Sequence, residues 1–306
     1  AADGPAASVA DRHIHADYLD AAGLARLAAL ASAATTEFEN VPAAALEFLS
    51  ASARVTPAAA SVAIAQDRIS EKTFLSGHGF GVAPHKVLRT SEDAASVDPA
   101  LLPGIVKSAR LGYDGKGQIR VSSVGEGGAA YARMGGVPCG LERFVDLACE
   151  VSVIVARDDS GASVTWPVAE NRHRDGILDV SIAPARVDDA LADRARGIAT
   201  DVARALDYRG VLCVEMFVTR GGEILVNEMA PRPHNSGHYS IDACVSSQFE
   251  QQVRILADLP LGAATQLAPA VMVNLLGDLW GDGEPDWHAV LAQDSVKLHL
   301  YGKDEP

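Results

Sequence analysis

The sequence predicts a mixed chain, a short α/β layer followed by a larger α+β region built on antiparallel strands. Three observations predict it. Leucines at helical spacing dominate the first stretch, and short strands replace helices from Gly104 onward. A glycine-rich loop, Gly112-Tyr113-Asp114-Gly115-Lys116-Gly117-Gln118, joins two of those strands. A hairpin with a two-glycine turn runs from Gly210 into a polar loop that ends at His238.

Taken in order, residues 1–19 read as pieces of a strand-and-loop unit that lacks its opening strand. Asp20 N-caps a helix over 20–33, with Leu24, Leu27 and Leu30 on one face. A short buried strand over 34–38 and a helix over 42–49 complete half of an α/β layer with a parallel sheet. Residues 57–76 form one helix carrying Asp67, Arg68 and Lys72. A glycine-rich link, 77–84, leads to a strand at 86–88. Strands at 105–107 and 118–122 flank the glycine loop. More strands follow at 141–145, 150–156 and 163–169. Asn171-Arg172-His173 before Asp175-Gly176 reads as a polar turn. An amphipathic helix covers 188–206, the hairpin follows, and a helix at 247–257 and a strand at 271–276 close the series.

The chain has 306 residues, 48% of them hydrophobic, so two domains or one large domain can each bury a core. A net charge of −14 argues against a nucleic-acid or anionic-membrane surface, while leaving room for a local basic pocket. Cys139, Cys149, Cys213 and Cys244 are widely spaced and form no CxxC pair. They read as reduced thiols of a cytoplasmic protein. No apolar run reaches the roughly 18 residues of a membrane-spanning helix. No basic-then-apolar leader opens the chain, and no HExxH is present.

Chemistry gathers at the hairpin. Gly221 and Gly222 supply the positive φ of its turn. Pairing Val218 with Glu223 sets Glu215 opposite Val226 and Glu228 one diagonal step away, about 7–8 Å on the same face. Two carboxylates at that distance, beside Asn227, suit one or two Mg²⁺ ions that also hold nucleotide phosphates. In isolation the pair reads more readily as two solvated glutamates on an edge hairpin. The adjoining Arg232, His234, Asn235 and His238 favour a site. Upstream, the free N–H groups of the glycine loop form an anion nest, with Lys116 adding charge. The loop is not a Walker A sequence, because no Gly-Lys-Ser/Thr opens a helix. Lys107 ends an apolar strand beside it. The linker Glu142-Arg143-Phe144-Val145 precedes Glu150, so its backbone can read an adenine edge while a carboxylate takes ribose hydroxyls.

The order Lys107, glycine loop, Glu142, Glu150, Glu215, Asn227-Glu228 resembles the ATP-grasp family, in which two α+β subdomains close on ATP and Mg²⁺. Within it the chain is similar to the 5-(carboxyamino)imidazole ribonucleotide synthetase branch. The carrying residues are Thr36 to Pro42 (TEFENVP), the GYDGKGQ loop, Asp175-Gly176-Ile177-Leu178, and the run from Asn227 to Cys244. The resemblance spans nearly the whole chain. It implies a Rossmann-like pre-ATP-grasp remnant over 1–57 and an ATP-grasp domain over 58–258. Within that domain a small lid subdomain covers about 77–141. A β-rich C-terminal segment follows over 259–306. The family normally opens with a strand and a Gly-Gln-Leu turn and ends with a further basic segment. The chain therefore reads as truncated at both ends, with ATP and Mg²⁺ binding better supported than full turnover.

The resemblance also implies roles. ATP would be met by Arg68, Lys107 and the loop Gly112, Tyr113, Asp114, Gly115, Lys116, Gly117 and Gln118. Further ATP contacts would come from Glu142, Arg143, Phe144 and Val145, and then from Glu150, His173, Asn227 and Glu228. Glu215 and Glu228 would ligate Mg²⁺. Arg232, His234 and Asn235 would serve bicarbonate and the carboxyphosphate made from it, with Asp114 or His234 handling the amine proton. Glu37, Tyr113, Asp114, Arg232 and Lys303 would face the aminoimidazole ribonucleotide. The implied activity is ATP- and bicarbonate-dependent carboxylation of that ribonucleotide's exocyclic amine in purine biosynthesis, by a cytoplasmic homodimer. Two rivals stand beside it. One is another ATP-grasp ligase, using formate or resembling biotin carboxylase, and the other is a nucleotide-binding remnant without catalysis.

Overall fold

The structure is a computed structural model and describes residues 4–110, 112, 117–281 and 283–300. Residues Pro5–Val9 form an exposed helical turn, not a strand piece, because Pro5 at its first position presets a helical φ. The helix Ala21–Leu30 is capped by Asp20, which accepts from Gly23 N at 2.8 Å. The strand expected over 34–38 shrinks to β1 (Ala33–Ala34), paired in parallel with β2 (Arg54–Val55). Thr36 ends it: its hydroxyl accepts from Phe38 N at 3.2 Å and donates to Phe38 O at 2.7 Å.

The helix expected over 57–76 is two, Ala59–Ala65 and Arg68–Gly77. Asp67 divides them by accepting from Ile69 N and Ser70 N, which starts a new helix at Arg68. That restart places Arg68, Glu71 and Lys72 on the same stripe as buried Leu75.

A four-stranded antiparallel sheet follows. It contains β3 (His85–Leu88), β4 (Gly104–Ser108), β5 (Gln118–Val121) and β6 (Cys139–Arg143), in the order β3-β6-β4-β5. A helix that the sequence reading did not anticipate, Val124–Arg133, packs Ala130 and Tyr131 against Val106, Val121 and Leu141. Its three glycines hide it from propensity. Gly127 is needed there, since a Cβ would lie 2.4 Å from Ala94 O.

The larger sheet has seven strands. They are β7 (Leu147–Arg157), β8 (Ser163–Thr165), β9 (Ala169–Arg174), β10 (Ile177–Ala183), β11 (Gly210–Thr219), β12 (Ile224–Ala230) and β13 (Ala270–Val273). The order is β12-β11-β7-β9-β10-β13, with β8 pairing on β7. The polar run 171–174 belongs to β9, and the turn is Asp175-Gly176, both at positive φ (55° and 84°). The helix Asp189–Ala205 packs Ala195, Ala199 and Val202 on Leu212 and Val214, covering one face. Ile255, from the helix Gln248–Leu256, packs with Val211 and Cys213 on the other. Glu215 follows Val211 and Cys213 at period two and shares that second face. Among the described residues, no helix is long and apolar enough to cross a membrane.

Candidate active site

Glu215 pairs directly with Glu228 across β11 and β12. The sequence register set Val226 there instead and left Glu228 on a diagonal. The difference is a bulge: Met216 pairs with Val226 but Glu215 with Glu228, so Asn227 is the extra residue. Directly opposed residues have Cβ atoms about 4.5–5.5 Å apart, closer than a diagonal pair. The Asn227 Oδ1 atom is buried and has no hydrogen-bond partner among the described residues. Two carboxylates and an unpartnered amide oxygen are the hard oxygen donors that Mg²⁺ takes, so the residues present fit that ion.

Strand β12 is an edge strand, and the helix Arg68–Gly77 covers its edge with charge. Met229 N donates to Glu71 Oε1 at 2.5 Å, and Lys72 Nζ donates to Asn227 O at 2.8 Å and Val226 O at 3.4 Å. Arg68 Nη2 donates to Glu228 Oε2 at 2.7 Å. The bulge is therefore held from outside by side chains of one helix. Sequence reasoning missed Glu71 and Lys72 as site residues. The signal was their i, i+3, i+4 spacing from Arg68, on the stripe that Leu75 buries.

The knot continues into the smaller sheet. Glu142 is 4% exposed and meets Arg68 at 3.3 Å, Lys107 at 3.1 Å and Lys72 at 3.8 Å. Burial alone would raise its carboxyl, but Lys107, Lys72 and Arg68 overcome that and hold it down at about 2. Burial raises Glu71 to about 8 despite Arg68 and Lys72, and lowers Lys72 despite Glu142. The two carboxylates of the 142–150 segment thus differ. Glu142 is enclosed by cations. Glu150 is half-buried and pairs with His173 Nδ1 at 2.7 Å. Burial opposes charge on His173, yet Glu150 and, further off, Glu215 and Glu228 raise it.

The loop after β12 carries the remaining candidates. Arg232 binds Glu39 through Nε, at 2.7 Å, and through Nη2. Glu39, not the exposed Glu37, is the acid that reaches this loop. His234 Nε2 lies 3.0 Å from Glu215 Oε1, and its Nδ1 lies 2.9 Å from Ser236 Oγ. Burial opposes its charge, but Cys213 and Glu215 raise His234 well above the ordinary histidine range. Gln248 fixes the backbone here, accepting from His234 N at 2.8 Å and donating to His234 O at 2.7 Å. Asn235 opens the short turn Asn235–Gly237. His238 is lowered to about 4 by burial and by neighbouring His234 and Arg232.

Toward the smaller sheet, Phe144 N donates to Pro103 O at 2.8 Å, and the Arg120 guanidinium sits 5.0 Å from the exposed Phe144 ring. Arg143 is exposed and Val145 half-buried. Gly112 is exposed; Gly117 has φ +70°, and a Cβ on it would meet Ser108 Oγ at 2.6 Å. Gln118 pairs with Lys107 across β4 and β5. Tyr113, Asp114, Gly115, Lys116 and Lys303 lie outside the described residues.

Two α+β units joined by a buried charge knot, with paired carboxylates on the larger sheet, define an ATP-grasp protein. Residues 73–249 match the family model of the ATP-grasp domain. Residues 1–66 match the ribonucleotide synthetase preATP-grasp domain, and 270–306 the phosphoribosylaminoimidazole carboxylase C-terminal domain. The N5-carboxyaminoimidazole ribonucleotide synthase of Brucella melitensis is 47% identical over 304 residues, covering 98% of this chain and 83% of that protein. That of Bacillus subtilis is 41% identical, covering 99% and 79%. A crystal structure of an N5-carboxyaminoimidazole ribonucleotide synthetase as its ADP complex superposes with a TM-score of 0.92 at 40% identity, covering 98% of this chain and 79% of that one. The Aspergillus clavatus enzyme in complex with ADP and 5-aminoimidazole ribonucleotide gives 0.87 at 30% identity, covering 98% and 80%. The chain belongs to the N5-carboxyaminoimidazole ribonucleotide synthase family of ATP-grasp ligases.

Proposed function

We propose that Glu215 and Glu228, with Asn227 bulged out beside Glu228, form the metal floor on which this ATP-dependent ligase carboxylates 5-aminoimidazole ribonucleotide. The observation that carries this reading is the direct pairing of the two glutamates at the bulge. When bound there, Mg²⁺ neutralises the charge that develops between the β- and γ-phosphates.

The chain's own residues do the rest by position and charge. Lys107 and Arg68 present cationic heads beside Glu142 and Glu228 and orient the phosphates. Glu150 and His173 suit the ribose, and the linker 142–145 suits the adenine edge. A bicarbonate oxygen attacks the γ-phosphorus and ADP leaves, which yields carboxyphosphate. Arg232, His234 and Asn235 hold that anion, and closure of the glycine loop keeps water from it. The exocyclic amine of the ribonucleotide then attacks the carboxyl carbon, phosphate leaves, and the amine gives up a proton. Either His234, paired with Glu215 at 3.0 Å, or Asp114 takes the amine proton in this reading. Glu37, Tyr113 and Lys303 complete the ribonucleotide site in this reading.

The domain boundaries we infer lie near residues 57 and 258, with the lid over about 77–141. We also infer a cytoplasmic homodimer. Four free thiols suit a reducing compartment, and exposed Val245, Phe249, Val253 and Leu267 offer apolar surface for a partner copy. The test of the reaction is ADP formation with bicarbonate, with and without the ribonucleotide. Stimulation by the ribonucleotide, with formate inactive in place of bicarbonate, is the expected result; stimulation by formate instead would overturn the substrate assignment.

A further inference from the structure

One group of side chains at the floor has a composition that Mg²⁺ chemistry does not use. Cys213, Glu215 and His234 each offer one donor atom, a sulfur, an oxygen and a nitrogen, all within 4.8 Å of one another. Cys213 and Glu215 are two residues apart on β11 and share a face. His234 closes over them from the loop after β12, with Nε2 toward Glu215. Its other nitrogen meets Ser236 Oγ at 2.9 Å, and that hydroxyl accepts from Ser152 Oγ at 2.8 Å. Ser236 Oγ also lies 3.9 Å from Cys213 Sγ. Nδ1 also accepts from Ser236 N at 3.3 Å, so ligation through Nε2 needs the other tautomer, with Nδ1–H donating to Ser236 Oγ, the outer-partner arrangement that orients an imidazole toward a metal.

We propose that Cys213, Glu215 and His234 form a site for a thiophilic divalent cation of the Zn²⁺ class, and that its occupation inhibits the enzyme. Zn–S and Zn–N bonds of about 2.3 and 2.0 Å put tetrahedral ligand atoms roughly 3.3–3.6 Å apart. The separation of His234 from Glu215 is 3.0 Å and would open slightly, while the other donor separations, all within 4.8 Å, would close by up to roughly 1.5 Å. Three protein ligands leave the fourth position open to water or a phosphate oxygen. Binding releases the Cys213 thiol proton and a proton from His234, since thiolate and neutral imidazole are the ligands. Mg²⁺ gains nothing from sulfur, whereas Zn²⁺ prefers thiolate and imidazole. The two ions therefore compete for Glu215 through different partners, Glu228 and Asn227 for Mg²⁺, Cys213 and His234 for the thiophilic ion. A thiophilic ion would take Glu215 as a ligand and immobilise His234.

The binding of the ion stands on geometry alone; the inhibition rests on the roles given above to Glu215 and His234. The first test titrates the metal-free protein with Co²⁺ and follows the near-ultraviolet thiolate-to-cobalt absorbance. One equivalent should produce it, Zn²⁺ should displace it, and Cys213→Ala should abolish it while Cys149→Ala retains it. Absence of the band from the unsubstituted protein, or its persistence in Cys213→Ala, would overturn the site. His234→Gln is the second variant, and should also weaken the band if Cys213→Ala fails to fold. The second test measures ADP formation at saturating Mg²⁺ and ATP with added Zn²⁺. Cys213→Ala should raise the half-inhibiting concentration by roughly tenfold or more. Equal inhibition of both proteins would overturn the inhibitory role, whatever the outcome of the first test.

Discussion

Glu215 and Glu228 face one another across β11 and β12 because Asn227 is set out of register between Glu228 and Val226. The same bulge leaves the Asn227 Oδ1 buried without a partner among the described residues. A buried acceptor without a partner costs its desolvation, and a bound cation would offset that cost. Asn227→Leu, close in shape, should therefore leave the melting temperature unchanged or raise it. The Mg²⁺ concentration for half-maximal ATP turnover should rise roughly tenfold, as for loss of a metal's supporting group. Thermal melting and a Mg²⁺ titration of ADP formation check the two halves. A large loss of stability with unaltered Mg²⁺ dependence would mean that Asn227 serves the fold.

Glu71 holds the edge of β12 by accepting from Met229 N. Glu71→Gln keeps an acceptor oxygen and should preserve the strand. Glu71→Ala leaves the buried N–H unpaired and should cost about 1–3 kcal/mol. The charge has a separate signature. Burial raises the folded-state Glu71 from 4.5 to about 8. The folded protein then holds a proton that the unfolded chain releases, so this contribution to stability is full below 4.5 and declines as pH rises through about 8. Melting curves from pH 5 to 9 should show that decline in the unsubstituted protein and a flatter profile in Glu71→Gln. Parallel profiles would remove Glu71 from the account.

Much of this site was legible in the sequence, and the rest was hidden for physical reasons. The hairpin, Lys107 and the Arg232–His234 loop could be read because a turn signal, a buried-strand lysine and a dense polar run are local features. The bulge was not legible: nothing in Leu225-Val226-Asn227-Glu228 separates a regular ladder from one with an extra residue. The charged helix stripe was hidden by the assumption of one helix over 57–76, and Asp67 capping reset its phase. The helix Val124–Arg133 was hidden by glycines that propensity penalises and that close packing against Ala94 requires. The pairing of Glu39 with Arg232 was not legible because it joins residues 193 apart in sequence.

Glu142 is the common counter-charge of Arg68, Lys72 and Lys107, and its removal should be felt by all three. Glu142→Gln is nearly isosteric, so its effect is one of charge. Leaving buried cations without their acid typically costs about 3–5 kcal/mol, and the melting temperature should fall accordingly. The pH dependence follows from the same cations. Despite burial, Lys107 and its neighbours hold Glu142 at about 2, below the ordinary 4.5. Its stabilisation is therefore full above 4.5 and is lost as pH falls toward 2. Glu142→Gln should lack that part of the acid sensitivity. Nucleotide provides a third readout, because on the proposed reading its phosphates bring negative charge to the same lysine and arginine heads. ADP should raise the melting temperature of Glu142→Gln by more than it raises that of the unsubstituted protein. An equal or smaller ADP shift in the variant would show that these cations answer to Glu142 alone and not to the nucleotide.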